Sequence, residues 1–284
     1  MCSNPFPQIS IVIAVKNAHN SLQKCIDSIR CQTYQDMELL IMDGGSEDGT
    51  VEIINKNSQY IAYWESRQDR GIAHAWNKAL RHTKGQWILF IGADDTLRDK
   101  LVLEKAATSL IQASRLGKRL AYGKVELKDQ KGNHLQVLGQ DWGKIKERFF
   151  TERDEIPHPA CFHHSSLFED YGPFDQEFLI AMDYEFLIRV LLREEPFFMD
   201  EIITTMAFGG LSHHPATLLQ THNEAHMALL RHGLTCRNVK FTINHLAYKI
   251  LGALLFFVGE KAARWYLDTL RIVSGKSRVW TIDG

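Results

Sequence analysis

The chain has 284 residues, of which 45% are hydrophobic, and this suits one large globular domain or a domain with an appended subdomain. Its 33 basic and 34 acidic residues leave a formal net charge of −1, so no overall positive field favours nucleic acid as a partner. The five cysteines form no CxxC pair, which favours free thiols in a reducing cytoplasm over a disulfide framework or a zinc site.

The first 115 residues alternate short apolar runs with segments of helical periodicity. The apolar runs predict strands over residues 9–15, 37–42, 60–65 and 86–91. The intervening segments predict helices over residues 21–31, 50–57, 72–82 and 100–113. This alternation predicts an α/β fold with a mostly parallel sheet covered by helices.

Beyond Gly117 the rhythm changes. Residues 120–127 and 135–138 predict a β-hairpin, a loop-rich stretch follows through residue 159, and residues 181–192 predict a helix. From Pro215 onwards the pattern is wholly helical. We therefore expect a domain over 1–212, with a first half at 1–115 and a second half at 116–212, and a helical carboxy-terminal extension over 213–284.

An acidic pair, Asp94-Asp95, directly follows the apolar run that ends at Ile91-Gly92-Ala93. In open α/β sheets, ligands bind beyond the carboxyl ends of the strands. Adjacent carboxylates repel each other, and their common uses are to bind a divalent cation or to accept hydrogen bonds from a ligand. An acidic turn that caps the following helix is the structural alternative, and the pair by itself does not decide between them.

A second polar loop, residues 43–50, follows a predicted strand and opens a helix. Its glycines permit tight turns near a ligand, and Asp43 at the strand tip can accept the ring N–H of a base or bond a sugar hydroxyl. The loop has neither the GxGxxG dinucleotide fingerprint nor the residues of a calcium-binding loop. A plain turn with a helix cap is the alternative interpretation.

Asp183 begins the helix predicted over residues 181–192, where a carboxylate either stabilises the helix dipole by about 0.3–1 kcal/mol or acts as a general base. His222 and His226 share a helix face, but Asn223 stands where a zinc protease needs Glu, so a solvated face is the favoured interpretation. His213-His214 follows a glycine-rich stretch and forms either a flap over an anion or an ordinary loop.

Together these segments resemble the family 2 glycosyltransferases of the GT-A fold. The matching segments are residues 11–17, 43–50, 69–79 and 85–95, with Asp183 followed six residues later by Arg189. The likeness covers about residues 8–210. One departure is Gly92, which stands where the family often has an acidic residue, two positions before Asp94.

The resemblance implies that a nucleotide-sugar lies across the carboxyl ends of the first strands. Asp43 would contact the base, Asp94 the ribose, and Asp95 a Mn²⁺ or Mg²⁺ ion on the diphosphate. The resemblance also assigns five further residues to donor binding: Val15, Asn17, Asp69, Gly71 and Asn77. Asp183 would be the general base, and His158 and Glu185 would contact the acceptor. Direct displacement implies inversion at the anomeric carbon.

The resulting hypothesis is an inverting hexosyl- or N-acetylhexosaminyltransferase that moves one sugar, with UDP-sugars favoured as donors. Processive members carry a QxxRW signature that this chain lacks, and the acceptor would be a glycan or lipid-linked molecule in surface polysaccharide synthesis. The rivals are a nucleotidyltransferase, which usually has an early glycine-rich phosphate loop, and a binding module without catalysis.

The sequence also predicts a cytoplasmic protein, either unattached or peripheral on the inner face of the membrane. The longest apolar run, residues 250–258, is far shorter than the ~20 residues needed to span a bilayer. Residues 231–284 hold nine Lys or Arg against three acidic residues, a net charge of +6. An apolar stripe over residues 239–258 therefore predicts either an interfacial helix near anionic lipid or a helix packed on the domain.

Overall fold

The computed structural model describes residues 8–129, 131–151, 156–209, 214–234, 239–273, 275 and 278–281. The first half contains strands β1 (Ile9–Val15), β2 (Met37–Asp43), β3 (Tyr63–Ser66), β4 (Trp87–Gly92) and the short β5 (Thr96–Leu97). Its helices are α1 (Leu22–Arg30), α2 (Thr50–Lys56), α3 (Ile72–Ala79) and α4 (Val102–Arg115). Strands β3, β2, β1 and β4 are neighbours in that order and all run parallel, which confirms the predicted parallel arrangement.

The parallel strands are covered by helices on both faces. Along β4, Leu89 and Ile91 belong to one core cluster with residues of α1 and α4, whereas Ile88 and Phe90 belong to a second cluster with residues of α3. Because successive side chains of a strand point to opposite faces, an almost uninterrupted apolar run is what a strand buried on both sides requires.

Two element boundaries of the first half differ from the prediction by three residues, and the others differ by two at most. Strand β3 begins at Tyr63 because Ser58–Tyr60 form a 3₁₀ turn before it. Helix α3 ends at Ala79, three residues before the predicted end.

The second half extends the same sheet with the predicted hairpin and with two strands, β8 and β9, that the sequence pattern did not reveal. It contains β6 (Leu120–Lys128), β7 (His134–Leu138), α5 (Trp142–Thr151), β8 (Cys161–His164), α6 (Ser166–Tyr171), α7 (Met182–Leu191) and β9 (Phe197–Ala207). The predicted hairpin is confirmed as the antiparallel pair β6–β7. Strand β8 lies between β4 and β6 and is antiparallel to both, so one mixed nine-stranded sheet runs through both halves.

The carboxy-terminal extension contains α8 (Leu218–Arg231), α9 (Val239–Phe257) and α10 (Glu260–Val273), as the helical pattern predicts. Helix α8 packs against α7, α9 packs against α8, and α10 packs against α9. Within the described ranges, no helix combines the length and the apolar character needed to cross a membrane.

Candidate active site

A cavity of about 240 Å³ opens at the end of β4. Its lining includes four side chains that can exchange a proton or bind a cation: Asp94 and Asp95 after β4, His158 before β8, and Asp183 in the first turn of α7. Helix α8 contributes Thr221. The rest of the wall is mainly apolar and includes Ile72, Trp76, Leu138, Ile156, Ile180, Met182, Leu187 and Met206. The structure therefore brings the acidic pair and the predicted base to one space.

The acidic pair is held by a tight turn after β4. The backbone N–H of Gly92 donates to Asp95 Oδ2 at 2.7 Å, and the N–H of Asp95 donates to the Gly92 carbonyl at 3.2 Å. A Cβ built on Gly92 would lie 2.7 Å from Asp94 Oδ1 and 3.0 Å from Asp95 Oδ2. The glycine that departs from the family pattern is thus the residue that lets both carboxylates approach the end of β4.

The environment of Asp95 disfavours its charge. Its side chain is buried, and burial, followed by repulsion from Asp94, raises the pKa of Asp95 to about 8. A cation at the pair would offset both effects. The structure contains no group of three or more His, Cys, Asp or Glu side chains arranged to hold a metal within the described part of the chain. Two carboxylates with room for water and phosphate oxygens nevertheless suit a hard divalent ion such as Mg²⁺ or Mn²⁺.

Asp183 occupies the first turn of α7 and is partly exposed to the cavity. Its Oδ1 accepts the backbone N–H of Tyr184 at 2.7 Å. Tyr184 in turn anchors the helix, since its hydroxyl donates to the Phe149 carbonyl at 2.6 Å. The carboxylate is therefore fixed at the cavity wall on a helix whose neighbouring residues are buried.

His158 is a buried neutral imidazole beside the same cavity. Its ring stacks on Trp76 with centroids 5.0 Å apart, and its centroid lies 5.1 Å from that of His163. Burial, followed by repulsion from His163, holds the pKa of His158 well below its usual range. Among the described residues, its buried Nε2 has no hydrogen-bond partner.

Asp43 lies at the tip of β2 but is fully buried and does not line the cavity. Its Oδ2 accepts the N–H groups of Gly45 and Ser46 at 3.1 and 3.0 Å and the Ser66 hydroxyl at 2.6 Å, while Oδ1 accepts the Ser46 hydroxyl. A carboxylate has about four acceptor positions. Asp43 therefore organises its own loop, and a bound base would have to displace one of the two serine hydroxyls.

The loop after β1 is tied to the loop after β2. The Gly44 N–H donates to the Val15 carbonyl at 2.8 Å, and the Asn17 N–H donates to the Ser46 hydroxyl at 2.7 Å. Asn17 has φ of 53°, and its side-chain oxygen accepts the Glu47 N–H at 3.1 Å. Val15 through its carbonyl, and Asn17 through its N–H and its side chain, thus hold the two loops together.

The segment around α3 contributes Ile72 and Trp76 to the cavity wall, and its polar residues form contacts outside the cavity. Asp69 pairs with His74 at 2.9 Å and with Lys78 at 2.8 Å, and Gly71 enters the helix with φ of 119°. The Asn77 side chain exchanges two hydrogen bonds with the backbone of Phe174, at 2.8 and 2.9 Å. Asp69, Gly71 and Asn77 do not line the described cavity, whereas their neighbours Ile72 and Trp76 do.

Glu185 is directed away from the cavity. Its side chain is 2% exposed and pairs with Arg189 at 2.9 Å and with His232 at 2.8 Å. It is not among the described residues that line the cavity, so of the two acidic residues that begin α7 only Asp183 reaches it.

The histidine predictions have different outcomes. The expectation of a solvated face is wrong for His222, which is 4% exposed because α9 packs over it and brings His245 to a ring distance of 5.4 Å. The predicted flap falls mainly on residues 210–213, which lie outside the described residues. His214 is exposed.

Trp76 and Thr221 are among the cavity residues that were not singled out from the sequence. Trp76 lies inside the segment 69–79 and could have been found there as the large aromatic residue of an amphipathic helix. Thr221 comes from the carboxy-terminal extension, and no local signal connects it to the other site residues.

A sheet with a parallel half, continued by antiparallel strands and covered by helices, is similar to the structures of GT-A glycosyltransferases. The family model for glycosyl transferase family 2 matches residues 10–171. The chain belongs to this family.

Curated relatives agree with this membership. A PGL/p-HBAD biosynthesis glycosyltransferase of Mycobacterium bovis (strain BCG / Pasteur 1173P2) is 30% identical over 216 residues, covering 72% of this chain and 79% of the relative. An uncharacterized glycosyltransferase of Mycobacterium tuberculosis (strain ATCC 25618 / H37Rv) is 27% identical over 212 residues, covering 73% and 78%.

Solved structures share the fold at low sequence identity. The mannosyltransferase PcManGT from Pyrobaculum calidifontis, in complex with GDP-Man and Mn²⁺, superposes with a TM-score of 0.61 at 16% identity over 95% of this chain and 82% of that one. Residues 1–349 of S. aureus TarS in complex with UDP-GlcNAc give a TM-score of 0.59 at 15% identity over 93% and 80%. The chain spans 48% of the longer TarS chain.

Proposed function

We propose that this protein is an inverting glycosyltransferase that moves one sugar from a nucleoside-diphosphate sugar to a hydroxyl group of an acceptor. The observation that carries the proposal is that Asp95 and Asp183 line one cavity. A leaving-group site and a proton acceptor on either side of a sugar are what single displacement at an anomeric carbon needs.

The donor end is formed by Asp94 and Asp95. Asp94 is exposed and can accept hydrogen bonds from the ribose, whereas Asp95 is buried and suited to a cation. A Mn²⁺ or Mg²⁺ ion bound there would supply the Lewis-acid chemistry that neutralises a departing diphosphate. The raised pKa of Asp95 supports this assignment, because a buried carboxylate that repels its neighbour is stabilised when a cation joins it.

The acceptor end is formed by Asp183. Its carboxylate takes the proton of the attacking hydroxyl while that oxygen bonds to the anomeric carbon and the bond from this carbon to the diphosphate oxygen breaks. Attack from the face opposite to the leaving group inverts the configuration. His158 lines the same cavity, and its ring would contact the acceptor.

We propose uridine as the donor nucleotide, because a carboxylate at the position of Asp43 can accept the N3–H of uracil once a serine hydroxyl turns away. Similar solved structures contain either uridine or guanosine nucleotides: TarS structures contain UDP or UDP-GlcNAc, and PcManGT contains GDP-Man. A surface glycan or lipid-linked acceptor is in keeping with the name of the PGL/p-HBAD biosynthesis relatives.

We further propose that the extension rests on the cytoplasmic face of an anionic membrane. The apolar stripe of α9 divides, because Leu251 is buried against the neighbouring helices while Ile243 and Leu246 are both 60% exposed. Phe256 and Phe257, the last two residues of α9, are 82% and 79% exposed. The extension also has exposed basic side chains, including Lys249, Lys261 and Arg278. Exposed apolar side chains together with basic ones are typical of helices that lie in a membrane interface.

The decisive experiment is release of nucleoside diphosphate from a panel of nucleotide-sugars, with and without Mn²⁺, in the presence of candidate hydroxyl acceptors. The proposal expects metal-dependent release that Asp183→Asn lowers by ~10²-fold or more. The matched control Asp200→Asn, which changes an exposed carboxylate on β9, should leave the release intact. Binding of donors without release in any acceptor mixture would favour a binding module. Formation of nucleotide-sugar from nucleoside triphosphate would favour a nucleotidyltransferase.

A further inference from the structure

The amino terminus of α7 is capped by a residue of the carboxy-terminal extension. Glu224 of α8 accepts the backbone N–H groups of Ile180 at 2.8 Å and Ala181 at 3.0 Å, both through Oε2. Ala181 is the cap residue of α7, and its own side chain forms no capping hydrogen bond. The N–H of an N-cap residue such as Ala181 lacks an intrahelical partner, and Ile180 directly precedes it. Glu224 therefore satisfies, from more than 40 residues along the chain, the two N–H groups that lead into α7.

The Glu224 carboxylate is itself fixed. The side chain is 5% exposed, and its other oxygen accepts the Gln220 side-chain N–H at 2.8 Å. On the same helix, Thr221 lines the cavity and Ala225 packs in the core cluster that contains Met182 of α7. Glu224 therefore lies in a rigid contact between two helices, and is not among the described residues that line the cavity.

A second contact joins the same two helices farther along. Glu185 of α7 pairs with His232, the residue that follows α8, at 2.8 Å. The first turns of α7, which carry Asp183, are thus held on α8 at two points. Glu224 acts at the point that precedes Asp183 by only two or three residues.

We infer that Glu224 is a positioning residue for the general base: it fixes the first turn of α7 so that the Asp183 carboxylate faces the acceptor hydroxyl. This inference rests on the proposed role of Asp183. A misplacement of about 1 Å at a reacting group can cost ~10²-fold in rate, so loss of the cap acts on turnover more than on binding. The donor site is built from β1, β2 and β4, none of which contacts Glu224 in the hydrogen bonds described for it.

The test compares Glu224→Ala, which removes the acceptor of the Ile180 and Ala181 N–H groups, with Glu224→Gln, whose amide oxygen can accept both hydrogen bonds. Glu224→Ala should lower kcat by ~10-fold or more while the donor Kd changes less than ~2-fold, and Glu224→Gln should restore kcat to within ~3-fold of wild type. Glu52→Ala, which removes an exposed carboxylate from the first turn of α2, is the matched control.

A double-mutant cycle separates positioning from general destabilisation. In an Asp183→Asn background, Glu224→Ala should lower the residual turnover by less than ~3-fold, since the group it positions is already inactive. An equal loss in both backgrounds, or a fall in donor affinity that parallels the fall in kcat, overturns the inference. Should Glu224→Ala not fold, Glu224→Asp keeps the charge one methylene short, and wild-type kcat in that folded variant also overturns it. Wild-type turnover of Asp183→Asn itself would instead refute the proposed base, which is measured first.

Discussion

Asp95 and Asp183 line the same cavity although one follows strand β4 and the other begins helix α7. The nine-stranded sheet produces this relationship, because β8 pairs with β4 and leads into α6 and α7. In the proposed mechanism, the leaving group departs at Asp95 and the acceptor hydroxyl enters at Asp183. The predictions for these two residues test both ends.

Asp183→Asn should lower acceptor turnover by ~10²-fold or more, the usual cost of losing general base catalysis. Donor affinity should stay nearly constant, because Asp94 and Asp95 carry that binding from the other end of the cavity. Turnover and donor binding are measured separately, and the wild-type product should have the anomeric configuration opposite to the donor. Near-normal turnover of Asp183→Asn with an inactive Glu185→Gln would move the role to Glu185, and a retained configuration would exclude direct displacement.

Asp95→Asn should abolish metal-dependent turnover while the fold survives, because the amide cannot supply the negative charge that a hard cation requires. Titration calorimetry with Mn²⁺ and nucleoside diphosphate should show weakened binding. The same variant without metal should unfold at a temperature equal to or above that of wild type, since it removes a buried carboxyl of raised pKa. Unchanged metal dependence of turnover would contradict the assignment.

Uridine nucleotides should stabilise the protein more than guanosine nucleotides. A ligand at one hundred times its Kd adds about 2.7 kcal/mol, which thermal unfolding with UDP and GDP in Mn²⁺ resolves readily. Ser66→Ala frees one acceptor position of Asp43 and should tighten UDP binding if the base takes that position. Stabilisation by GDP and none by UDP would overturn the uridine assignment.

The extension should bind anionic vesicles, and Phe256→Ser with Phe257→Ser should release it, because these rings are exposed beside basic side chains. Flotation with phosphatidylglycerol and phosphatidylcholine vesicles at low and high salt measures both contributions. Leu116→Ser is the matched control, an exposed apolar residue outside the extension. A protein that never floats with anionic vesicles uses the helix only for packing.

His163 should make the protein acid-sensitive. Burial lowers its pKa to about 4, whereas an unfolded chain takes up the proton near pH 6.5. The unfolded state therefore binds more protons as pH falls through this window, and about 2 kcal/mol of stability is lost between pH 6.5 and 5 from this group. His163→Gln should lose less stability across that interval in urea unfolding, whereas the exposed His19→Gln should behave like wild type. An identical slope for His163→Gln would contradict the prediction.

Local pattern was sufficient for the four parallel strands of the first half, although it did not predict the two-residue strand β5. The apolar run of β4 is buried on both faces. Asp43 is the last residue of β2, and the Asp94-Asp95 pair follows β4 closely in the sequence. Such signals lie within one window of the chain, so periodicity and turn composition reveal them. The second half was harder, because β8 has four residues and β9 has a mixed burial pattern, and a short strand at the centre of a sheet is specified by its neighbours.

The sequence by itself determined the parallel sheet, the acidic pair at its edge and the family resemblance, because these depend on residues adjacent along the chain. Only the tertiary structure decided that Asp183 reaches the cavity while Glu185 pairs with His232. It also decided that Asp43 accepts the hydroxyl of Ser66 from the neighbouring strand β3. It also decided that Glu224 caps α7 from the extension. These contacts join segments distant in sequence, and their geometry depends on how helices pack, for which no local pattern encodes the partner.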